Sequence, residues 1–105
     1  MGYTMLMGAI VSEILASAFL RLSRGFELQG YGLVSVLLFS VSLFFLSRAI
    51  RVVPLSIAYS LWAGLGIAGA LLAGYLLFNE AIGNQQIFGT SLILVGAVVV
   101  RASVQ

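Results

Sequence analysis

The sequence contains no cysteine, histidine, lysine or aspartate. Without cysteine the chain can form no disulfide framework and no thiolate metal site. The other three absences remove the commonest general base, the Schiff-base lysine and most sets of metal ligands. The acids that remain are three glutamates, and the chain has no histidine or cysteine to act with them as a second catalytic group. The sequence therefore predicts neither an enzyme nor a protein that holds a metal ion or a cofactor.

Charge of either sign is also scarce. Only 8% of the 105 residues are charged, whereas 62% are hydrophobic. Soluble domains carry roughly a quarter charged residues, so this chain cannot cover itself with a water-facing surface, and a membrane protein is predicted. Its arginines lie at the ends of apolar runs, where their side chains reach lipid headgroups. The bilayer is thus the expected surrounding, and the net charge of +2 indicates no nucleic-acid partner.

Four apolar runs lie between the charged residues, each near the length of about 20 residues that crosses a bilayer. Short connections make neighbouring helices antiparallel, and a lipid-exposed backbone must satisfy its own hydrogen bonds. The predicted fold is therefore an all-α bundle of four transmembrane helices in a single domain of residues 1–105. The expected spans cover about residues 3–20, 28–47, 53–78 and 85–100.

The arginines are almost balanced between the two sides of the membrane. Three fall on the side of the termini and two on the other side, which is a weak asymmetry for setting orientation. We therefore predict insertion in both orientations, although factors outside the sequence could also fix one. Four helices make a thin bundle, so an oligomer is expected, and dual insertion permits an antiparallel homodimer. The two groups are Arg48, Arg51 and Arg101, and Arg21 and Arg24.

Glu13 is the ionisable residue that lies well inside a span. A bare carboxylate at that depth costs about 2.5–3.5 kcal/mol on insertion scales, so such residues are usually functional. The group can hold a proton, or release it and hold a cation, and these two states exclude each other. The alternative is a structural membrane subunit in which a protonated Glu13 only bonds a neighbouring helix.

Small and hydroxyl residues surround this position. Ala9, Ala16 and Ser17 share the face of Glu13, where they permit close approach of a substrate or of another helix. On the second span, Phe39 and Ser42 share one face. Ser42 is a candidate to bond Glu13 or the substrate, although a serine that bonds its own helix backbone is equally consistent with the spacing.

The third and fourth spans carry aromatic residues and glycines. Tyr59 and Trp62 lie three apart on one face and offer π surfaces to a cation, which we favour over an interfacial aromatic belt. Glycines just after Trp62 predict a hinge or close helix packing. Glycines seven apart in the last span predict a seam for a partner helix. The hinge candidates are Gly64 and Gly66, and the seam candidates are Gly89 and Gly96.

Taken together, these residues resemble the small multidrug resistance transporters over essentially the full length. The resemblance rests on Glu13, on Pro54, on the block Ala-Tyr-Ser-Leu-Trp-Ala-Gly-Leu-Gly at residues 58–66, and on the two glycines of the last helix. It implies a proton-coupled antiporter in the bacterial inner membrane, working as an antiparallel homodimer. Protons and one cationic substrate would compete for Glu13, while Tyr59 and Trp62 would shape the cation site.

The resemblance also bears on the substrate. Guanidinium exporters typically have tryptophan at the position of Ala16 and glycine at that of Ile10, and this chain has neither. Exporters of hydrophobic cations often have tyrosine where Phe39 stands and lysine where Arg21 stands. The pattern favours quaternary ammonium or related hydrophobic cations, with guanidinium export as the alternative. Some members pair with a sister subunit, but the balanced arginines favour pairing of this chain with itself.

Overall fold

The protein, described by a computed structural model over residues 2–103, consists of four helices joined by short loops. Each helix is long and apolar enough to cross a membrane. This confirms the predicted all-α architecture for the described part of the chain. The third helix begins after Pro54, whose extended backbone precedes the first helical turn. The helices are α1 (Gly2–Leu22), α2 (Gln29–Ala49), α3 (Leu55–Phe78) and α4 (Asn84–Ser103).

The closest helix pair is formed by α1 and α2, which run antiparallel. Ala9 and Ala16 are fully buried in this contact. The hydroxyl of Ser42 donates a hydrogen bond of 2.6 Å to the Ala9 carbonyl, and that of Ser35 donates one of 2.8 Å to the Ala16 carbonyl. The two bonds are seven residues apart on both helices. Small side chains therefore bring the backbones near enough for serine to bond the neighbouring helix.

A tight turn connects these two helices. Arg24, Gly25 and Phe26 all have positive φ angles, which reverse the chain within a few residues. The backbone N–H of Leu28 donates to the carbonyl of Ser23 over 2.9 Å, so α2 begins directly beside the end of α1. The short loop between α2 and α3 reverses the chain again, so α3 runs parallel to α1.

The helix α4 lies at the margin of the fold and packs mainly on α3. A Cβ atom at Gly64 would lie 3.6 Å from both Ala97 and Ile93, so the two helices are in ordinary contact there. Within α4, Asn84–Ser103, one residue is buried, namely Ala97. The chain measures 45 × 33 × 16 Å. Its shortest dimension is little more than the diameter of about 10–12 Å for one helix, so a single chain cannot surround a substrate.

Candidate functional site

The carboxyl group of Glu13 rests against the backbone of α3 at Gly66. A Cβ atom built on Gly66 would overlap the carboxyl group, so this glycine leaves the space that the side chain occupies. The oxygen Oε1 of Glu13 is buried and has no hydrogen-bond partner among the described residues. A buried polar oxygen without a partner is unusual and calls for a functional explanation. Glu13 is thus placed between two helices without being bonded to either through its side chain.

The hydroxyl groups near Glu13 bond the backbone instead of its carboxyl group. Ser17 donates to the backbone carbonyl of Glu13 over 3.0 Å. Ser42 donates to the Ala9 carbonyl and accepts a bond of 2.9 Å from the Trp62 indole N–H. The suggested bond between Ser42 and Glu13 is therefore wrong, because the hydroxyl of Ser42 donates its proton to α1. Ser42 instead joins α1, α2 and α3 at one level.

Tyr59 and Trp62 form an aromatic pair on α3. Their ring centroids lie 5.5 Å apart with planes tilted by 38°. Tyr59 is 55% exposed, whereas Trp62 is partly buried and held by its bond to Ser42. Trp62 lies one helical turn before Gly66, so the indole and the Glu13 carboxyl group occupy adjacent turns of the same α1–α3 contact. Tyr59, Trp62 and Gly66 therefore share one face of α3.

The other residues proposed for the pocket lie deeper in the fold. Ala9 and Ala16 are buried against α2, where they offer no surface to a cation in the single chain. Ile10 belongs to the hydrophobic core that α1 forms with the ends of α2 and α3. Phe39 is half-buried on α2, between the turns of the two bridging serines. The role of these four residues in substrate selection stays a prediction.

The glycines have three different environments. The helix α3 continues without interruption through Gly64 and Gly66. Gly66 closely approaches Glu13, which is the close packing that was the alternative to a hinge, whereas Gly64 faces α4 at an ordinary contact distance. The hinge itself stays a prediction. Gly89 and Gly96 have open space at the Cβ position, with no atom of the described chain within 4 Å. Their role in a dimer seam also stays a prediction.

A charged pair that the sequence analysis missed lies at the far end of the same helix contact. The Arg21 Nε donates to the Glu80 carboxylate over 3.1 Å, and the Arg21 guanidinium lies 5.2 Å from the centre of the Phe78 ring. Because α1 and α3 are parallel, their C-terminal ends meet on one side of the membrane. That topology was a signal available in the sequence. In the described part of the chain, no three side chains of the metal-binding types come together.

The sequence comparisons define the class of this protein. The model of the small multidrug resistance protein family matches residues 1–93, and the chain belongs to this family of membrane transporters. It is a multi-pass protein of the bacterial inner membrane and not an enzyme. Among its relatives are proteins named spermidine export protein MdtI from Citrobacter koseri, Enterobacter sp. (strain 638) and Escherichia coli O81. Each is 40% identical over 93 residues, which cover 89% of this chain and 85% of the relative.

Proposed function

We propose that this transporter exports organic cations in exchange for protons, and that proton and cation compete for the carboxyl group of Glu13. The observation that carries the proposal is the buried Oε1 of Glu13, which no described residue bonds. A permanently structural glutamic acid would be expected to bond a neighbouring helix, because an unsatisfied polar group in an apolar surrounding is costly. A carboxyl group without such a partner is available for a proton or a cation.

The aromatic pair supplies the second part of the proposed site. The faces of Tyr59 and Trp62 can attract a cation through their quadrupoles, and the bond from Trp62 to Ser42 fixes the indole beside the α1–α3 contact. The flat shape of the chain leaves this surface open on one side. We propose that a second copy, inserted in the opposite orientation, covers it, with α4 and its unfilled positions at Gly89 and Gly96 forming the seam.

Two substrate classes are proposed. The residues at positions 10 and 16 favour quaternary ammonium over guanidinium compounds. The names of the relatives favour a linear polyamine such as spermidine. A polyamine has separated positive charges, and the chain carries a second carboxylate, that of Glu80, at the end of the helix contact that begins near Glu13. We therefore place the polyamine first and the quaternary ammonium ion second.

The test is transport into proteoliposomes with an imposed pH gradient. Spermidine, tetramethylammonium, an aromatic cation and guanidinium are compared for the parent chain and for Glu13→Gln. We expect the variant to lose at least about tenfold in exchange rate, which corresponds to roughly 1.4 kcal/mol or more. The glutamine side chain keeps nearly the same size but cannot release a proton.

Glu27→Gln is the matched control, because Glu27 is an exposed carboxylate in the loop between α1 and α2. It makes the same chemical change without touching the buried site, so its exchange rate should equal that of the parent. If Glu13→Gln exchanges every substrate for protons as well as the parent does, the proposal is wrong. A structural glutamic acid would give that result, and no protons would be released when a cation is added to the parent protein.

A further inference from the structure

At two levels of the contact between α1 and α3, an acidic side chain packs against a glycine of α3. The level of Glu13 and Gly66 is followed, two helical turns later, by a level that contains Arg21, Gly74 and Glu80. A Cβ atom at Gly74 would overlap the Glu80 carboxylate, as one at Gly66 would overlap the Glu13 carboxyl group. Both acids are therefore seated on glycines of the same helix. The two glycines are eight residues apart, which is about 12 Å at the rise of an α-helix.

A cavity of about 80 Å³ lies along the C-terminal part of the α1–α3 contact, from the level of Ser17 and Ala70, about one helical turn beyond Glu13 and Gly66, to the ion pair of Arg21 and Glu80. Small side chains line most of its length, and Arg21 with Glu80 lies at its outer end. The lining residues are Ser17, Ala18, Arg21, Ala70, Ala73, Gly74, Phe78 and Glu80.

The outer end of the cavity already holds a cation of the chain itself. The Arg21 guanidinium is bonded to the Glu80 carboxylate and lies over the Phe78 ring. A carboxylate beside an aromatic face is also what an alkylammonium group requires. The side chains of Arg21 and Glu80 are 55% and 52% exposed. Ion pairs with that exposure are weak, so another cation can replace Arg21, whose side chain then extends to the headgroups.

We propose that Glu80 and Phe78 form a second subsite, which takes the distal ammonium of a linear diamine or polyamine whose first ammonium is held at Glu13. This inference rests on the proposed function and adds a determinant of substrate length. An extended chain of about nine single bonds, each advancing roughly 1.25 Å, separates its terminal nitrogens by ~11 Å. That length matches the spacing of the two glycine seats. A short diamine can reach one subsite at a time.

The experiment measures dissociation constants in lipid nanodiscs by titration calorimetry, with the fluorescence of the single tryptophan, Trp62, as a second readout. The probes are diaminooctane, which spans the two seats, diaminopropane, which does not, and tetramethylammonium. For Glu80→Gln we expect diaminooctane to bind about fivefold more weakly, as for the loss of one exposed ion pair. The affinities for diaminopropane and tetramethylammonium should stay within error of the parent values. Glu27→Gln, the matched control, should leave all three unchanged.

Arg21→Gln provides the opposite change. It removes the competing guanidinium, so diaminooctane should bind more tightly than to the parent, a gain that a poorly folded variant cannot produce. An equal loss for all three probes in Glu80→Gln, or no change in either variant, would overturn the subsite. The proposed function is judged separately by Glu13→Gln. If that variant still binds tetramethylammonium like the parent, cation binding at Glu13 is wrong, whatever Glu80 does.

Discussion

Small residues have filled surroundings in the contact of α1 with α2 and α3, whereas the glycines on the outer surface of α4 have open space beside them. In the first region, Ala9 and Ala16 are fully buried and serine hydroxyls bond the carbonyls of the neighbouring helix. On α4, Ala97 is the buried residue. Both regions contain glycine, but Gly66 faces the carboxyl group of Glu13, whereas Gly96 faces no atom of the described chain within 4 Å.

This difference separates two tasks. Small residues of the first region are needed by the fold and the site of one chain, because larger side chains would displace groups that are already present. The glycines of α4 have no such neighbour among residues 2–103. In a membrane, glycine on an otherwise apolar helix surface allows the backbone of another helix to come close. Substitutions at the two kinds of glycine should therefore affect different properties, namely the cation site and the assembly of chains.

The largest effect is expected for Gly66→Ala. The added methyl group overlaps the position of the Glu13 carboxyl group, and a methyl group forced into a filled site costs about 1–3 kcal/mol. The end of a flexible side chain can move more easily than a helix, so Glu13 should swing out while the fold persists. We expect a loss of roughly tenfold or more in cation affinity, measured by calorimetry in nanodiscs.

Gly64→Ala is the control for this substitution. It lies on the same helix and makes the same chemical change, but its new Cβ atom would be at 3.6 Å from Ala97, an ordinary contact. Cation affinity should stay near that of the parent. If Gly66→Ala binds cations as tightly as Gly64→Ala does, the packing of Glu13 against Gly66 is not needed for cation binding. The glycines of the two regions would then not differ in their effect on the cation site.

An intermediate effect is expected for Gly96→Leu. The open space around this position accommodates leucine in the single chain, so the helices should form as before. In the proposed dimer the side chain would separate two closely packed helices, at a cost of about 1–3 kcal/mol. We expect dimer affinity to fall by roughly tenfold, measured by energy transfer between labelled chains in bilayers.

Gly30→Leu tests whether any added leucine has this effect. Gly30 lies in α2, and apart from the backbone of its own helix no atom of the described residues lies within 4 Å of its Cβ position. Association should be unchanged in this variant. A loss of association of similar size in Gly30→Leu would mean that the assembly does not use α4 specifically. Unchanged association in Gly96→Leu would exclude the proposed seam.

Much of the fold could be predicted from the sequence because the bilayer restricts the choices. Apolar runs near 20 residues between arginines define four helices, and short loops make them antiparallel. Pro54 marked the start of α3 within two residues of the predicted position. The predicted fourth span ends before Arg101, whereas α4 continues to Ser103. Arginine can extend its side chain from within a helix and does not terminate it.

The site was predictable in its main residue but not in its contacts. Glu13 stands out because a carboxyl group in an apolar span is costly. That Ser42 would bond α1 and Trp62 instead of Glu13 depends on the rotation of α2, which spacing alone does not determine. The pair of Arg21 and Glu80 depends on which helices are parallel neighbours. Periodicity identifies the face of a helix, whereas its partner is determined by the packing of the whole bundle.

The smallest effect is expected within the first region, where Ser42→Ala can be compared with Ser35→Ala. Each hydroxyl donates one bond to a carbonyl of α1, at 2.6 and 2.8 Å. Bonds of this kind between membrane helices average about 0.6 kcal/mol. Ser42 also accepts the Trp62 N–H, so its removal leaves that donor unpaired. We expect both variants to be less stable, and Ser42→Ala more so, in unfolding by denaturing detergent.

The fluorescence of Trp62 tests whether the larger loss of stability expected for Ser42→Ala comes from the lost bond to the indole. Loss of the indole bond should shift the emission of this single tryptophan in Ser42→Ala, whereas Ser35→Ala should keep the parent spectrum. Equal stability together with equal spectra would mean that Ser42 only joins α1 to α2, as Ser35 does. A shift confined to Ser42→Ala, with weaker cation binding, would mean that the α1–α2 contact also positions the aromatic surface of α3. The buried region would then serve the open site through one hydroxyl group.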